Sequence, residues 1–183
     1  MKRLIVVLGD LAAGKSTFAK ILSDRFNLAL INKDDIKEIL GDKIGFKNRE
    51  DNIRLSEASY SVMFYVFEKA CLGNADVILE ANFHNPQLEE ISQIVNKYNY
   101  KVMTVFITAD PSTLYQRYIN RMNNENRNPV HASIPFNDYE MFKEYTIKNR
   151  DITPLGDLIK IDGTTFSFED DKTVLHEIEM FLM

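Results

Sequence analysis

One short segment near the start of the chain has residue types and spacing that suit phosphate binding. Residues 9–16 read GDLAAGKS and fit the pattern G-x-x-x-x-G-K-[ST]. Gly9 and Gly14 let the backbone turn tightly, because neither carries a Cβ. The N–H groups of such a turn, with the start of the helix after it, can surround a polyphosphate. The segment therefore predicts a nucleotide site.

Side chains of the same segment add specific chemistry. Lys15 can reach the β- and γ-phosphates of a nucleotide, and the Ser16 hydroxyl can ligate Mg²⁺. An acid beside phosphates is unfavourable, so the side chain of Asp10 is expected to point away from them. The residues expected to contact the nucleotide belong to this turn and the helical turn after it: Gly9, Leu11, Ala12, Ala13, Gly14, Lys15, Ser16 and Thr17.

A second candidate is the acidic tetrapeptide NKDD at residues 32–35. It matches the guanine-binding N-K-x-D of GTPases, but it ends the strand directly after the first helix, whereas GTPases place theirs far downstream. Parallel α/β sheets bind ligands at the carboxyl ends of their strands, so an acid here faces the phosphate crevice. Asp34 can then accept the proton of a hydroxyl that attacks a γ-phosphate. Its alternative role is to cap a helix at Asp35–Leu40, and the two roles can coexist.

Glu80 is the third candidate, since it ends an apolar run of strand length. A buried carboxylate is costly without a partner, and Mg²⁺-bound water or Lys15 would supply one. A structural ion pair is the alternative. Asn82 and His84 follow at the same edge and are candidates for binding the substrate.

Two arginines, Arg117 and Arg121, stand four residues apart on a predicted helix and share a face away from its apolar stripe. Arginine binds phosphate oxygens with a planar fork, so closure of a lid could bring this pair onto a transferring phosphoryl group. A solvated helix face is the alternative. The polar, Asn-rich segment at about 122–136 is the predicted lid, and it contains Arg127, a further substrate-binding candidate; a plain surface loop is the other interpretation.

The elements that must position these residues alternate along the chain. The predicted strands are short apolar runs: Leu4–Leu8, Leu28–Ile31, Val77–Leu79, Val102–Ile107 and Leu158–Ile161. The other predicted helices have a helical apolar period: Lys15–Phe26, Asp51–Leu72, Pro86–Tyr98, a segment after Asp110-Pro111, and Thr173–Leu182. This order predicts an α/β fold in which helices cover both faces of a parallel five-stranded sheet, as one domain over residues 1–183.

Composition limits the function further. The chain has 183 residues with 45% hydrophobic and 27% charged residues, which is typical of a globular protein. Its net charge of −5 argues against a dedicated nucleic-acid binder. The single cysteine, Cys71, cannot form an internal disulfide, and no run approaches the length of a membrane helix. We expect a cytoplasmic protein with no membrane partner, either a monomer or a homodimer.

These motifs together resemble the small P-loop kinases of the nucleoside- and shikimate-kinase type, and above all the predicted ATP-dependent kinases related to polynucleotide 5′-hydroxyl kinase and zeta-toxin-like phosphotransferases. The likeness covers nearly the whole chain, with Ala12 in place of the middle glycine of the family's loop. It implies the P-loop NTPase fold of the nucleoside-kinase type, with ATP and Mg²⁺ as cofactors. By the same likeness Asp34 is the base, and Lys37 replaces the commoner arginine that holds substrate or phosphate.

The resemblance also assigns residues later in the chain. Glu80 stands where the family usually has an aspartate near the metal. Arg117 and Arg121 match the arginines that flank the lid, with Arg127 as a possible third member. The segment that contains Gly163 resembles the loop that lies over the adenine.

The predicted function is ATP- and Mg²⁺-dependent transfer of a γ-phosphoryl group to a hydroxyl of a small molecule. Three alternatives remain open from the sequence. One is a polynucleotide 5′-hydroxyl kinase, which the acidic composition disfavours. Another is a toxin-like phosphotransferase that acts on a sugar nucleotide or an antibiotic. The last is a regulatory module that binds ATP without transferring phosphate, which would not need Asp34 or the lid arginines.

Overall fold

The central element is one parallel sheet of five strands in the order β2-β3-β1-β4-β5. The computed structural model describes residues 2–123, 127–131, 136, 138–165 and 171–183. The strands are β1 (Lys2–Gly9), β2 (Ala29–Asn32), β3 (Val77–Glu80), β4 (Tyr100–Thr108) and β5 (Asp157–Asp162). Each predicted strand exists, within two residues of its predicted ends, and the α/β class is confirmed.

Helices connect the strands. They are α1 (Lys15–Phe26), α2 (Lys33–Ile44), α3 (Arg49–Leu72), α4 (Asn85–Tyr98), α5 (Pro111–Met122), α6 (Tyr139–Lys148) and α7 (Lys172–Leu182). The expected helix Asp35–Leu40 is longer at both ends, and α6 had no predicted bounds. Within the described ranges, none of the helices has the length and apolar character needed to cross a bilayer.

The core forms on both faces of the sheet, as continuous apolar strands predict. In β1, Ile5 and Val7 pack into one apolar cluster while Leu4, Val6 and Leu8 pack into the other. The edge strand β5 differs, because its buried and exposed residues alternate. There the expectation of a strand covered on both faces is wrong, since only one face of β5 reaches the core.

The carboxyl ends of β1, β2 and β3 lie side by side. Glu80, the last residue of β3, is in register with Val7 of β1 and with Asn32 of β2. The loop that follows β1 therefore faces the residues that follow β2. The strand order thus brings three separate parts of the sequence to one edge of the sheet.

Candidate active site

The turn after β1 is fixed by close approach to β4. Gly9 has φ 141°, and a Cβ on it would lie 1.9 Å from the carbonyl oxygen of Ile107. The N–H of Asp10 donates to that same oxygen at 2.9 Å. Gly14 has φ 96° and precedes α1 without a side-chain cap, so first-turn N–H groups of α1 are left for a ligand. Both glycines occupy backbone positions that a residue with an L side chain would occupy only with strain.

Ala12 occupies the position where the resembling family has glycine, and it adopts a left-handed conformation with φ 65°. A non-glycine residue pays about 1 kcal/mol or more there. The side chain is buried, with 3% of its surface exposed. The substitution of alanine for glycine therefore keeps the shape of the loop at a cost in local strain.

Asp10 points away from the loop, as its charge requires. Its carboxylate accepts from the Arg150 guanidinium, with Nη2 at 2.7 Å from Oδ2, and from the N–H of Ala109 at 3.2 Å. Arg150 also donates to the carbonyl of Ala109 at 2.6 Å. Arg150 was not among the sequence candidates, because 140 residues separate it from Asp10. The pair fastens the loop to the end of β4.

Loss of this buried pair is expected to destabilise the protein. Arg150→Met leaves the buried carboxylate of Asp10 without its counter-charge, which costs about 3–5 kcal/mol in comparable cases. Arg54→Met is the matched control, since Arg54 pairs with Glu50 at 2.7 Å on the surface and such pairs contribute at most about 1 kcal/mol. Urea unfolding of both variants measures the difference, and similar losses would contradict the structural role of Arg150.

Lys15 lies at the base of a cavity of about 350 Å³ in front of the turn. Its ammonium donates to the carbonyl oxygen of Asp10 at 2.7 Å, and the side chain is buried. Burial lowers the pKa of Lys15, while the carboxylates of Glu80 and Asp34 oppose that shift. The residues that line the cavity come from the loop, α1, β2, α2, the end of β3, α5 and the predicted lid segment: Leu11, Ala12, Gly14, Lys15, Ser16, Thr17, Asn32, Asp34, Asp35, Glu38, Glu80, Asn82, Arg121, Arg127 and His131.

Glu80 is buried against this cavity and has two neutral partners. The Asn32 side chain donates from Nδ2 to Glu80 Oε2, and the Ser16 side chain also forms a hydrogen bond with the Glu80 carboxylate. Burial raises the pKa of Glu80 above its usual value, while the charge of Lys15 and then the Ser16 hydrogen bond oppose that shift. Ser16 and Glu80 thus lie next to each other, as a shared metal site requires. A structural ion pair, the alternative for Glu80, would need Lys15, which faces the same cavity.

The available side-chain ligands suit Mg²⁺ better than they suit a metal ion that protein side chains alone would coordinate. In the part of the chain that the structure describes, no group of three or more His, Cys, Asp or Glu residues could hold an ion. Mg²⁺ usually keeps several waters and takes one or two protein oxygens together with phosphate oxygens. The Ser16 hydroxyl and the Glu80 carboxylate are such oxygens. These two residues would hold the ion only alongside a bound nucleotide.

Asp34 is free of the capping role. The side chain of Asn32 caps α2 instead, accepting from the N–H of Asp34 at 2.7 Å and of Asp35 at 3.2 Å. Burial alone would raise the pKa of Asp34, but the positive charges of Lys33, His131 and Lys15 outweigh it and lower the pKa. Asp34 is therefore ionised at neutral pH, in the form that can accept a proton.

A second cavity, of about 260 Å³, adjoins the first and shares Asp34 with it. Its lining comes from the loop, α2, α3, the end of β3, α5, α6 and the lid: Leu11, Lys33, Asp34, Lys37, Ser56, Tyr60, Asn82, His84, Tyr118, Arg127, His131 and Tyr145. All five predicted substrate residues line it. Burial lowers the pKa of His84, so it is neutral there at physiological pH. We refer to the two as the loop cavity and the second cavity.

Lys37 is buried, with 4% of its surface exposed, and so it is not a solvated surface charge. Its ammonium donates to Asn52 Oδ1 at 2.6 Å and to the carbonyl of Val130 at 3.2 Å. Asn52 also donates to the Val130 carbonyl, at 3.0 Å. His131 contacts Glu38 of α2 at 2.5 Å. The described part of the predicted lid segment is thereby held against α2 and α3.

The burial of Lys37 predicts a pH-dependent stability. Burial and then the nearby Lys33 lower the pKa of Lys37 to about 8, from 10.5. Between these values the folded protein binds fewer protons than the unfolded chain. The cost in stability of burying the charged Lys37 ammonium is therefore full below pH 8 and disappears as the pH rises towards 10.5. The urea midpoint of the wild type should be higher at about pH 9 than at about pH 7, and that of Lys37→Met should not change in this way. Lys43→Met, at an exposed lysine of α2, should retain the increase.

The side chains of the two arginines of α5 contact different parts of the structure. Arg121 lines the loop cavity, where burial, Arg127 and Arg117 lower its pKa. Arg117 instead donates to the carbonyls of Gly163 and Thr164 at 2.9 and 3.3 Å. Gly163 lies against the loop, because a Cβ on it would be 2.9 Å from the Ala13 carbonyl. Arg117 thus supports the segment that the resemblance places over the adenine.

The predicted lid is described only in part. Residues 124–126, 132–135 and 137 lie outside the described residues. Pro129–His131 form a single 3₁₀ turn, and Arg127 lines both cavities. Its Nη1 atom is buried without a hydrogen-bond partner. Arg127 therefore lies where a lid arginine would act.

Several site residues could not be singled out from the sequence. Lys33 and Tyr145 line the second cavity, and Asn32 holds Glu80. Of these, only Asn32 had a usable signal, since asparagine before an acidic helical turn is a favoured cap. Tyr145 lies on α6, and its position at the cavity depends on how that helix packs.

Comparisons with known proteins agree with this geometry. A family model described as an AAA domain matches residues 4–134. A search of curated proteins finds no match. A presumed kinase from Chloroflexus aurantiacus J-10-fl has a similar structure, with TM-score 0.86, 21% sequence identity and coverage of 100% of this chain and 99% of that one.

Two further solved structures share the fold at lower similarity. A sugar kinase from Janibacter sp. HTCC2649 has TM-score 0.62 and 12% identity, over 100% of this chain and 95% of that one. Shikimate kinase from Bacteroides thetaiotaomicron has TM-score 0.59 and 14% identity, over 100% and 99%. At these identities the likeness shows the fold alone. The expected fold of small P-loop kinases is confirmed.

Proposed function

We propose that this chain, which belongs to the AAA domain family, is an ATP- and Mg²⁺-dependent phosphotransferase that acts on a hydroxyl of a small molecule. The observation that carries the proposal is that Asp34 lines both of two adjoining cavities. One cavity opens on the phosphate-binding loop, and the other is lined by Lys33, Lys37 and His84, which do not line the first. A protein that only binds nucleotide needs no second cavity that shares an ionised acid with the first.

The loop residues would hold the nucleotide. The first-turn N–H groups of α1 and the ammonium of Lys15 bind phosphate oxygens, and the segment at Gly163 covers the base. Ser16 and Glu80 would hold Mg²⁺, which when bound neutralises phosphate charge. Arg121 and Arg127 add positive charge where the γ-phosphoryl group is transferred.

Transfer requires one proton acceptor on this chain. The acceptor hydroxyl oxygen bonds to the γ-phosphorus, the bond from that phosphorus to the β–γ bridging oxygen breaks, and ADP leaves. The hydroxyl proton goes to Asp34, whose low pKa keeps it ionised and ready. Because the transition state of such transfers is loose, placing the groups contributes more than deprotonation does.

The second cavity favours a small acceptor. Its volume, about 260 Å³, is below the roughly 300–1,000 Å³ of sites for drug-sized ligands. An acidic chain with a net charge of −5 also gives little attraction for a polynucleotide strand. A small hydroxylated metabolite is therefore the proposed acceptor class.

A thermal-shift screen followed by transfer assays tests the function. Mg²⁺ with ATP, Mg²⁺ with GTP and a library of hydroxylated metabolites are each added to the protein, and stabilising compounds are then incubated with ATP labelled at the γ-phosphate. We expect stabilisation by Mg²⁺-ATP and label on one class of metabolite. Lack of nucleotide binding would refute the proposal. Label on an oligonucleotide alone would replace it with the polynucleotide kinase alternative.

A further inference from the structure

The second cavity contains an excess of positive charge. Lys33 and Lys37 both line it, and neither lines the loop cavity. They lie four residues apart on α2 and so share one face of the helix. The two residues are 8% and 4% exposed. Two ammonium groups are thus largely removed from water next to each other.

The carboxylate of Asp34 pairs with Lys33, and its charge also acts on Lys37. Lys33 Nζ lies 3.1 Å from Asp34 Oδ1, whereas the partners of Lys37 are the neutral oxygens of Asn52 and Val130. The lowered pKa of Lys37 is the consequence, with burial as its main cause and Lys33 as the next. Buried charge is costly when it has no counter-charge. A bound anion would supply what the protein leaves out.

Two further polar atoms of the cavity residues lack partners. Among the described residues, Arg127 Nη1 and Asn82 Oδ1 are buried without a hydrogen bond. The arginine needs an acceptor and the amide oxygen needs a donor. A molecule with an anionic oxygen group and hydroxyl groups would satisfy both. Asp34 and Glu38 do not replace such a molecule, because each carboxylate already has a partner. Asp34 pairs with Lys33, and Glu38 contacts His131.

We propose that the phosphoryl acceptor carries an anionic oxygen group, a carboxylate or a phosphate, in addition to the hydroxyl that reacts. This group binds beside Lys33 and Lys37, within reach of Arg127, while the reacting hydroxyl lies at Asp34. The inference rests on the proposed function and specifies its substrate class. It also gives Lys33 a role in choosing the substrate, since a neutral analogue would leave the ammonium groups of Lys33 and Lys37 to share the carboxylate of Asp34.

The binding of simple anions tests this inference without knowledge of the acceptor. The protein is first saturated with Mg²⁺ and the non-hydrolysable analogue AMP-PNP, so that the phosphate-binding loop is filled. Acetate, inorganic phosphate and the neutral acetamide are then titrated at constant ionic strength, with calorimetry and the ¹³C NMR signal of Lys37 Cε as readouts. We expect saturable one-site binding of at least one anion, a rise in the pKa of Lys37 above about 8, and no binding of acetamide. The tighter anion identifies the group as carboxylate or phosphate.

Matched lysine variants locate the binding. Lys33→Met should weaken anion binding at least about tenfold, since it removes a buried charge next to the anion. Lys43→Met removes the same charge from an exposed position on the same helix and should change binding less than about twofold. Equal effects of the two variants, or saturation by acetamide as well as by the anions, would overturn the inference. If Lys33→Met does not fold, by circular dichroism, the Lys37 titration of the wild type decides alone.

The two proposals fail in different ways. Binding of Mg²⁺-AMP-PNP with no saturable binding of either anion refutes the anionic acceptor and leaves the phosphotransferase intact. Failure of Mg²⁺-AMP-PNP to bind refutes the proposed function itself.

Discussion

Lys15→Ala is expected to reduce phosphoryl transfer by about 10²–10³-fold or more, because it removes a fixed positive charge from the γ-phosphoryl group. Asp34→Asn should reduce it by no more than that, since deprotonation contributes less than placement in a loose transition state. The assay is single-turnover transfer from labelled ATP to the acceptor found in the screen, with slow hydrolysis to water measured beside it.

The burial of Lys15 is the structural reason for the size of this effect. Its ammonium donates to the carbonyl of Asp10 at 2.7 Å, and burial lowers its pKa while the nearby carboxylates of Glu80 and Asp34 oppose that shift. Charge acts more strongly in such a site than in bulk water. Lys20→Ala on the same helix is the control, because Lys20 forms an exposed pair with Asp24 and should not matter. Lys15→Ala with transfer within tenfold of wild type would show that the roles are wrongly assigned.

Arg121→Ala and Arg117→Ala are expected to affect different kinetic constants, kcat in the first variant and KM in the second. Arg121 lines the loop cavity, so its loss should lower kcat by about 10³-fold, the lower end of what such an arginine supplies. Arg117 supports the Gly163 segment, so its loss should raise the KM for ATP while kcat stays within about tenfold. Steady-state kinetics with varied ATP measures both constants.

The two variants control each other, because both remove one arginine from the same face of α5. Equal losses of kcat would mean that Arg117 also reaches the transferring group when the lid closes, as the sequence allowed. A change confined to KM in Arg121→Ala would remove Arg121 from the catalytic group. Either result can be distinguished from unfolding by the binding of Mg²⁺-AMP-PNP.

Local patterns in the sequence determined much of the fold. Apolar runs identified all five strands, and the runs of β1, β3 and β4 are nearly continuous because a parallel strand buried on both faces has no polar alternation. The loop at residues 9–16 could also be predicted from the sequence, since glycine is required where φ is positive or another backbone approaches. The cap of α2 could not, because Asn32, Asp34 and Asp35 are all suitable caps and only the folded chain shows that Asn32 is used.

Tertiary structure decided how the charged residues are paired. Arg150 meets Asp10 across 140 residues, and Lys37 is buried by Asn52 and Val130 although it stands on a polar stretch of helix. Arg117 and Arg121 share a helix face but reach different partners, because the face spans both the Gly163 segment and the loop cavity. Periodicity and caps depend on neighbours in sequence, whereas burial and pairing of charge depend on which distant elements the sheet order brings together.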